Sequence, residues 1–213
     1  MGLITIQNIS PLIEVESEIA IVGSSSNILG KKLGKEIDSF SDVVRFNRAP
    51  TKEFEEEVGK KTTIRVANQH VFANISYGVS DRDLTQPQYF IKNQRNIKIV
   101  YLGPYLDEWG KREESIDSSC SPHLVDYQNS LSLYKNQILN GVSPGKNPTV
   151  GMMFISLCVC SGIRPHLYGF GTDEGTNISH YWEGRENHSV CHDYSLERQA
   201  LINLHSEGKI IIH

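Results

Sequence analysis

The segment that most constrains the fold is the run Glu18 to Val22 (EIAIV), the polar turn Gly23-Ser24-Ser25-Ser26-Asn27 that follows it, and the helical spacing of Leu29, Leu33 and Ile37. A short apolar, β-branched run ending at glycine reads as a buried strand, and apolar residues at i, i+4 and i+8 read as a helix. Strand, tight polar turn and helix form the opening unit of an α/β sheet. The rest of the chain repeats the alternation. Strands are expected at Val43 to Phe46, Thr62 to Val66, Ile97 to Leu102, His166 to Phe170 and Lys209 to His213. Helices are expected over Leu124 to Leu139, from Pro148 to a stop at Gly162, and through Leu196, Ala200 and Leu204 to a cap at Gly208; proline suits a first helical position and glycine a C-terminal stop. Strands alternating with helices predict an α/β fold, a mostly parallel sheet flanked by helices on both faces. Ligands of such sheets collect beyond the carboxyl ends of the strands. The polar stretches at Gly23 to Asn27, at Asn47 and at Gly169 to Asp173 fall at such ends.

A chain of 213 residues fits one domain spanning residues 1–213 and can bury a sizeable core. Its net charge of −4 argues against a nucleic-acid partner, which calls for a basic face. No apolar run of about 18 residues and no leader pattern is present, so neither a transmembrane segment nor a signal peptide is expected. Four cysteines are too few for a disulfide framework and suit reduced thiols. Together these point to a cytoplasmic protein, at most peripheral to a membrane. Cys158, Cys160, Cys191 and His192 do not read as a zinc site, because a C-x-C pair on a helix aims its thiols about 200° apart.

Three constellations can carry chemistry. The Gly23-Ser24-Ser25-Ser26-Asn27 turn offers N–H groups and hydroxyls to a phosphate or nucleotide sugar. It lacks the further glycines of a dinucleotide fingerprint and the Lys of a P-loop, and an ordinary polar turn would look the same. Asn147-Pro148-Thr149-Val150-Gly151 opens a strongly apolar helix, whose free first-turn N–H groups can hold a second polar group or be simply capped. The third is histidine-rich: His180-Tyr181-Trp182-Glu183, His188, and His192 with Glu197; His188, like His123 and His205, reads as a solvated histidine without a role. His192 precedes Asp193, a helix N-cap candidate, so the positive helix end favours a neutral imidazole there while the Asp193 carboxylate opposes that. Glu197 either orients the imidazole or caps the helix. Asp81-Arg82-Asp83 has the spacing of a metal-binding D-x-D but reads as a solvated loop.

These segments, in this order, resemble the four sialylmotifs of the eukaryotic-type sialyltransferase family. IVGSSSNILGKKLGKEIDSFSDVVRFNRAPTKEFEEEVGKKTT, Ile21 to Thr63, matches the large motif. NPTVGMMFISLCVCSGIRPHLYGFG, ending at Gly171, matches the small one. His180-Tyr181-Trp182-Glu183 matches the third, and His192 with Glu197 the H-x4-E pattern of the last. The resemblance implies a Rossmann-like GT-A variant and an inverting, metal-independent glycosyltransferase that needs no cofactor. Its donor would be a CMP-activated sialic acid, and its acceptor a glycan or glycolipid. On it, His192 falls on the catalytic base, with Glu197 completing the motif, and His180 on the histidine that meets the departing phosphate. Gly23, Ser24, Ser25, Asn27, Asn47, Asn147, Thr149, Val150, Gly151, Gly169, Phe170 and Gly171 fall on the nucleotide pocket.

The chain departs from that pattern in three places. Ser24 stands where the family has asparagine, and Val150 where it has a hydroxyl residue. Ile19 occupies the position of the first cysteine of the family's disulfide, whose second position corresponds to Cys160. The resemblance therefore implies a compact form of bacterial or viral type. A CMP-Kdo donor, or a nucleotide- or glycan-binding protein without turnover, are the competing readings.

Overall fold

A computed structural model describes residues 5–6, 9, 12–13, 18–68, 97–103, 123–142, 144–171, 180–183 and 191–213. Among the described residues, eight strands form one sheet in the order β1-β6-β5-β4-β3-β2-β7-β8: β1 Thr5–Ile6, β2 Ile19–Val22, β3 Asp42–Phe46, β4 Ile64–Ala67, β5 Lys98–Tyr101, β6 His123–Val125, β7 His166–Tyr168 and β8 Ile211–Ile212. Every pairing is parallel. The helices are α1 Gly34–Ser39, α2 Glu55–Val58, α3 Tyr127–Leu133, α4 Val150–Cys160 and α5 Tyr194–Ser206. The α/β class with a parallel sheet is as the alternation predicts.

Because side chains alternate across a strand, each central strand feeds two cores. Ile19 and Ile21 of β2, with Val44 and Phe46 of β3, pack with α4 and with Ala200, Leu201 and Leu204 of α5. Ala20, Val22 and Val43 face the other way, against Ile28, Ile37, Val58 and Tyr168. Burial on both faces explains why β2 and β3 read as nearly unbroken apolar runs. Helix α4 is enclosed from Gly151 to Cys158, so its sequence carries no polar face.

The order of the sheet positions the site. From β2 the chain steps outward through β3, β4, β5 and β6, then returns to place β7 on the other side of β2. The direction of winding reverses between β2 and β7, and at such a point the loops leaving the two strands part to form a crevice.

Two helix expectations need correction. The spacing of Leu29, Leu33 and Ile37 does not make one helix. Ser26–Ile28 is a single 3-10 turn, Gly30 and Lys32 have φ of 80° and 56°, and the α-helix begins only at Gly34. Ile28 takes the core position, leaving Leu29 43% exposed. Leu124 lies in a strand: β6 occupies His123–Val125, and the Asp126 carboxylate then accepts from Asn129 N–H at 3.0 Å to start α3. That helix loosens into a π-helical turn over Tyr134–Ile138. Strand β1 and the short α2 carry no periodicity that the sequence could announce. Asp81-Arg82-Asp83, His188 and the connections at 80–95 and 104–122 lie outside the described residues. No described helix is long and apolar enough to cross a membrane.

Candidate active site

The turn after β2 and the turn after β7 close on each other. Gly23 N–H donates to Tyr168 O at 2.7 Å and Ser25 N–H to Gly169 O at 3.0 Å, carrying the β2–β7 ladder past the strand ends. Gly169 sits at φ 68°, and a Cβ on Gly23 would stand 2.4 Å from Gly169 O. Both glycines are therefore required, Gly169 by conformation and Gly23 by space. Asn27 Nδ2 donates to Phe170 O at 3.1 Å, and the Ser25 hydroxyl caps the 3-10 turn by accepting from Asn27 N–H. The segment 180–183 lies along this turn: Ser25 and His180 form an antiparallel bridge, and Tyr181 N–H donates to Ser24 O at 3.0 Å.

A second group forms where α4 and α5 begin. Thr149 is the N-cap of α4, its hydroxyl oxygen accepting from Met152 N–H at 3.1 Å. The first helical N–H groups, of Val150 and Gly151, have no intrahelical acceptor and stay at the positive helix end. Asp193 caps α5 as predicted, accepting from Leu196 N–H at 3.1 Å. His192 stands just before it with Nδ1 2.8 Å from Asn147 O. A carbonyl can only accept, so Nδ1 carries a proton, and in the neutral imidazole the lone pair is on Nε2. The ring of Tyr194 flanks the imidazole edge-on at 5.8 Å.

Glu197 neither touches His192 nor caps its own helix. Its carboxylate reaches the start of α4, where Oε1 accepts from Thr149 N–H at 2.6 Å and Oε2 from the Thr149 hydroxyl at 2.7 Å. Asn147 with His192 and Thr149 with Glu197 thus form two rungs joining segment 147–149 to α5. Burial pushes the Glu197 carboxyl up to about 7, against the pull of the two Thr149 hydrogen bonds and with a smaller push from Asp193. Tyr134, enclosed in the core, is likewise pushed up by burial first, then by Glu197 and Asp193.

Phe170 joins the two groups. Its ring meets Phe46 at 6.4 Å and 85°, and it covers Gly151, where a Cβ would stand 3.3 Å from Phe170 Cε1. Asn47 directly follows Phe46. His180 stacks flat on Trp182, centroids 4.5 Å apart and planes 3° apart, with Nδ1 2.9 Å from Glu183 Oε2. Phe170 thus links the turns after β2 and β7 to the start of α4, and Gly171 follows it in sequence. Of the described cysteines, Cys158 is buried in α4 and Cys160 and Cys191 are exposed, and among the described residues no group of three or more His, Cys, Asp or Glu is placed to hold a metal.

Sequence reasoning passed over Arg65 and the hydroxyl of Tyr181. Arg65 donates to the carbonyls of Ala49 and Asn47, and the Tyr181 hydroxyl donates to Pro50 O. The available signal was a charge inside each of two buried strands, VVRF and IRVA.

Comparison with known proteins gives a consistent result. The profile of glycosyltransferase family 29 (sialyltransferase) matches residues 17–209. Human CMP-N-acetylneuraminate-beta-galactosamide-alpha-2,3-sialyltransferase 1 is 29% identical over 216 residues, covering 96% of this chain and 62% of its own length. Mouse CMP-N-acetylneuraminate-beta-galactosamide-alpha-2,3-sialyltransferase 2 is 27% identical over 207 residues, covering 91% and 56%. The chain thus spans less than two thirds of these relatives. A crystal structure of a mammalian sialyltransferase in complex with Gal-beta-1-3GalNAc-ortho-nitrophenol superimposes with a TM-score of 0.70 at 25% identity, covering 99% of this chain and 75% of that one.

Proposed function

The chain belongs to glycosyltransferase family 29, the sialyltransferases, and from that premise we propose that it moves a sialic acid, or a related 2-keto sugar acid, from a CMP-activated donor to a glycan or glycolipid hydroxyl. Residues 1–213 act as one catalytic unit in this reading. The observation that carries it is the placement of His192: Nδ1 is committed to Asn147 O, which leaves Nε2 as the basic nitrogen of the neutral ring.

In the reaction, Nε2 of His192 takes the proton of the acceptor hydroxyl as its oxygen bonds to the anomeric carbon. The bond from that carbon to the phosphate oxygen breaks on the opposite face, so configuration inverts and CMP departs. Breaking this bond turns a phosphodiester into a monoester and adds a negative charge. His180 and the N–H groups of Val150 and Gly151 supply the positive end for that charge, a role divalent cations fill elsewhere. The Gly23 to Asn27 turn, Asn47, and the Gly169-Phe170-Gly171 turn hold the nucleotide.

The test is CMP release from CMP-Neu5Ac and, separately, from CMP-Kdo, with and without a panel of glycan acceptors and with EDTA. One donor should release CMP, faster with acceptor, and EDTA should leave the rate unchanged. His192→Ala should lose acceptor-dependent transfer while still binding CMP. Wild-type protein that binds CMP and turns over neither donor would make this a binding protein. Loss of activity in EDTA would refute the metal-free step.

A further inference from the structure

Arg45 and Arg65 face each other in register on β3 and β4, and both are buried. Placing two guanidinium groups side by side in a core is costly, and an apolar residue of similar volume commonly serves stability as well. The cost shows in their acidity: burial first, then Arg45, pushes Arg65 down to about 9. A reason other than packing is needed to retain such a group.

The two arginines hold different things. Arg45 serves the loop after α2, with Nη2 donating to Val58 O at 2.6 Å and Nε to Lys61 O and the Thr62 hydroxyl at 3.1 Å each. Arg65 serves the site: Nη1 donates to Ala49 O at 3.0 Å and, at a longer 3.4 Å, to Asn47 O. Asn47 lies in the left-handed region at φ 45°, which asparagine adopts more readily than most residues with a side chain. Its turn is also tied by Asn47 N–H to Val66 O at 2.8 Å and, across the crevice, by the Tyr181 hydroxyl to Pro50 O. The side-chain oxygen of Asn47 is committed as well, accepting from Asn68 N–H at 3.1 Å. With that oxygen turned to Asn68, the amide NH2, with two donors, is the part of the side chain left for a ligand.

We propose that Arg65 is a positioning residue: by holding the Asn47 and Ala49 carbonyls it fixes a turn in which Asn47 turns its amide NH2 donors to an oxygen of the bound nucleotide. The inference rests on the nucleotide reading of this crevice and adds to it a residue and a polarity. Arg65 touches no ligand and acts through Asn47.

The experiment is a double-mutant cycle read by CMP titration calorimetry on the full chain, with Arg65→Met, Arg65→Lys, Asn47→Ala and the Arg65→Met/Asn47→Ala pair. Each of Asn47→Ala and Arg65→Met should weaken CMP binding by about tenfold, the scale of one lost charge-assisted hydrogen bond. The pair should bind nearly as well as Asn47→Ala alone. Arg65→Lys, which keeps a donor and guards against a Met variant that fails to fold, should recover part of the affinity. In turnover it should raise the donor KM and leave kcat at saturating donor unchanged. Wild-type affinity in a folded Arg65→Met or Arg65→Lys protein overturns the proposal, as does a pair whose loss is the product of the single losses. Wild-type protein that does not bind CMP at all overturns the nucleotide site itself, and this inference with it.

Discussion

Replacing Glu197 by glutamine removes a proton site while nearly preserving shape, and the structure fixes what that should do to stability. The wild-type carboxyl titrates near 7 when folded, against 4.5 ordinarily, because burial outweighs the two Thr149 hydrogen bonds. The folded protein therefore holds this proton more tightly than the unfolded chain does. As pH rises from about 4.5 to about 7 the folded state must give it up at a cost, and the wild type loses on the order of 3 kcal/mol. Above that window the loss is complete and constant. The substituted amide has no proton to lose, and it can still bridge to Thr149 if the hydroxyl turns to accept. All other titrating groups are common to both proteins and cancel in the difference. Urea unfolding of both proteins at pH 5 and pH 8 measures it. The Glu197→Gln variant should gain on the wild type between those pH values by about 2–3 kcal/mol, whatever the gap at pH 5. A gap that does not change with pH, or that moves against the variant, would refute the reasoning: the Thr149 donors would then compensate the buried charge in full.

Gly23→Ala would drive a Cβ to 2.4 Å from Gly169 O, backbone that cannot yield freely; a loss of roughly 1–3 kcal/mol in urea unfolding and weaker CMP binding are expected. Thr149→Val removes both the α4 cap and one Glu197 donor and should cost about 1–2 kcal/mol by the same assay, while Thr149→Ser should remain close to wild type. At the far edge His166 Nδ1 lies 3.0 Å from His213 Nε2. Burial first, then His213, lowers the His166 pKa, against Glu18 and Glu36 and with Arg164. The folded state therefore disfavours imidazolium, and stability falls as pH drops below the ordinary value near 6.5. His166→Phe should lose less thermal stability than the wild type between pH 7 and pH 5; equal losses would contradict this.

What could be read in the sequence follows from how local each signal is. Strands β2 to β5 announced themselves because both faces are buried and their runs stay apolar. Helix α4 did so because it is enclosed, and α5 because Asp193 and Gly208 bracket an amphipathic face. The first helix was overextended because Leu29, Leu33 and Ile37 keep helical spacing while two left-handed residues, Gly30 and Lys32, interrupt the backbone. Lysine at positive φ gives no compositional warning. At the site, the residues were legible as polar turns at strand ends, but their partners were not. That Glu197 would choose Thr149, 48 positions away in sequence, over His192 depends on α4 and α5 starting side by side. The support of Asn47 by Arg65 is likewise a tertiary fact.

The two rungs between segment 147–149 and α5 bear on how the site can work as a unit. Asn147 sets the tautomer of His192, and two residues later Thr149 starts the helix whose free N–H groups face the donor phosphate in the proposed reaction. Base and phosphate site thus hang on one short extended segment, and a displacement of that segment moves both. The Asn47 turn is held separately, by Arg65 from below and Tyr181 from across the crevice. In the proposed reaction a change there would alter grip on the nucleotide without disturbing the imidazole. Two supports of one pocket therefore carry different burdens: damage around Thr149 and Glu197 should fall on turnover and donor affinity together, and damage around Arg65 on donor affinity alone. The separation follows from topology, since Asn47 leaves the carboxyl end of β3 while the rungs join α4 to α5, and the two arrangements meet through Phe46, Phe170 and Gly151.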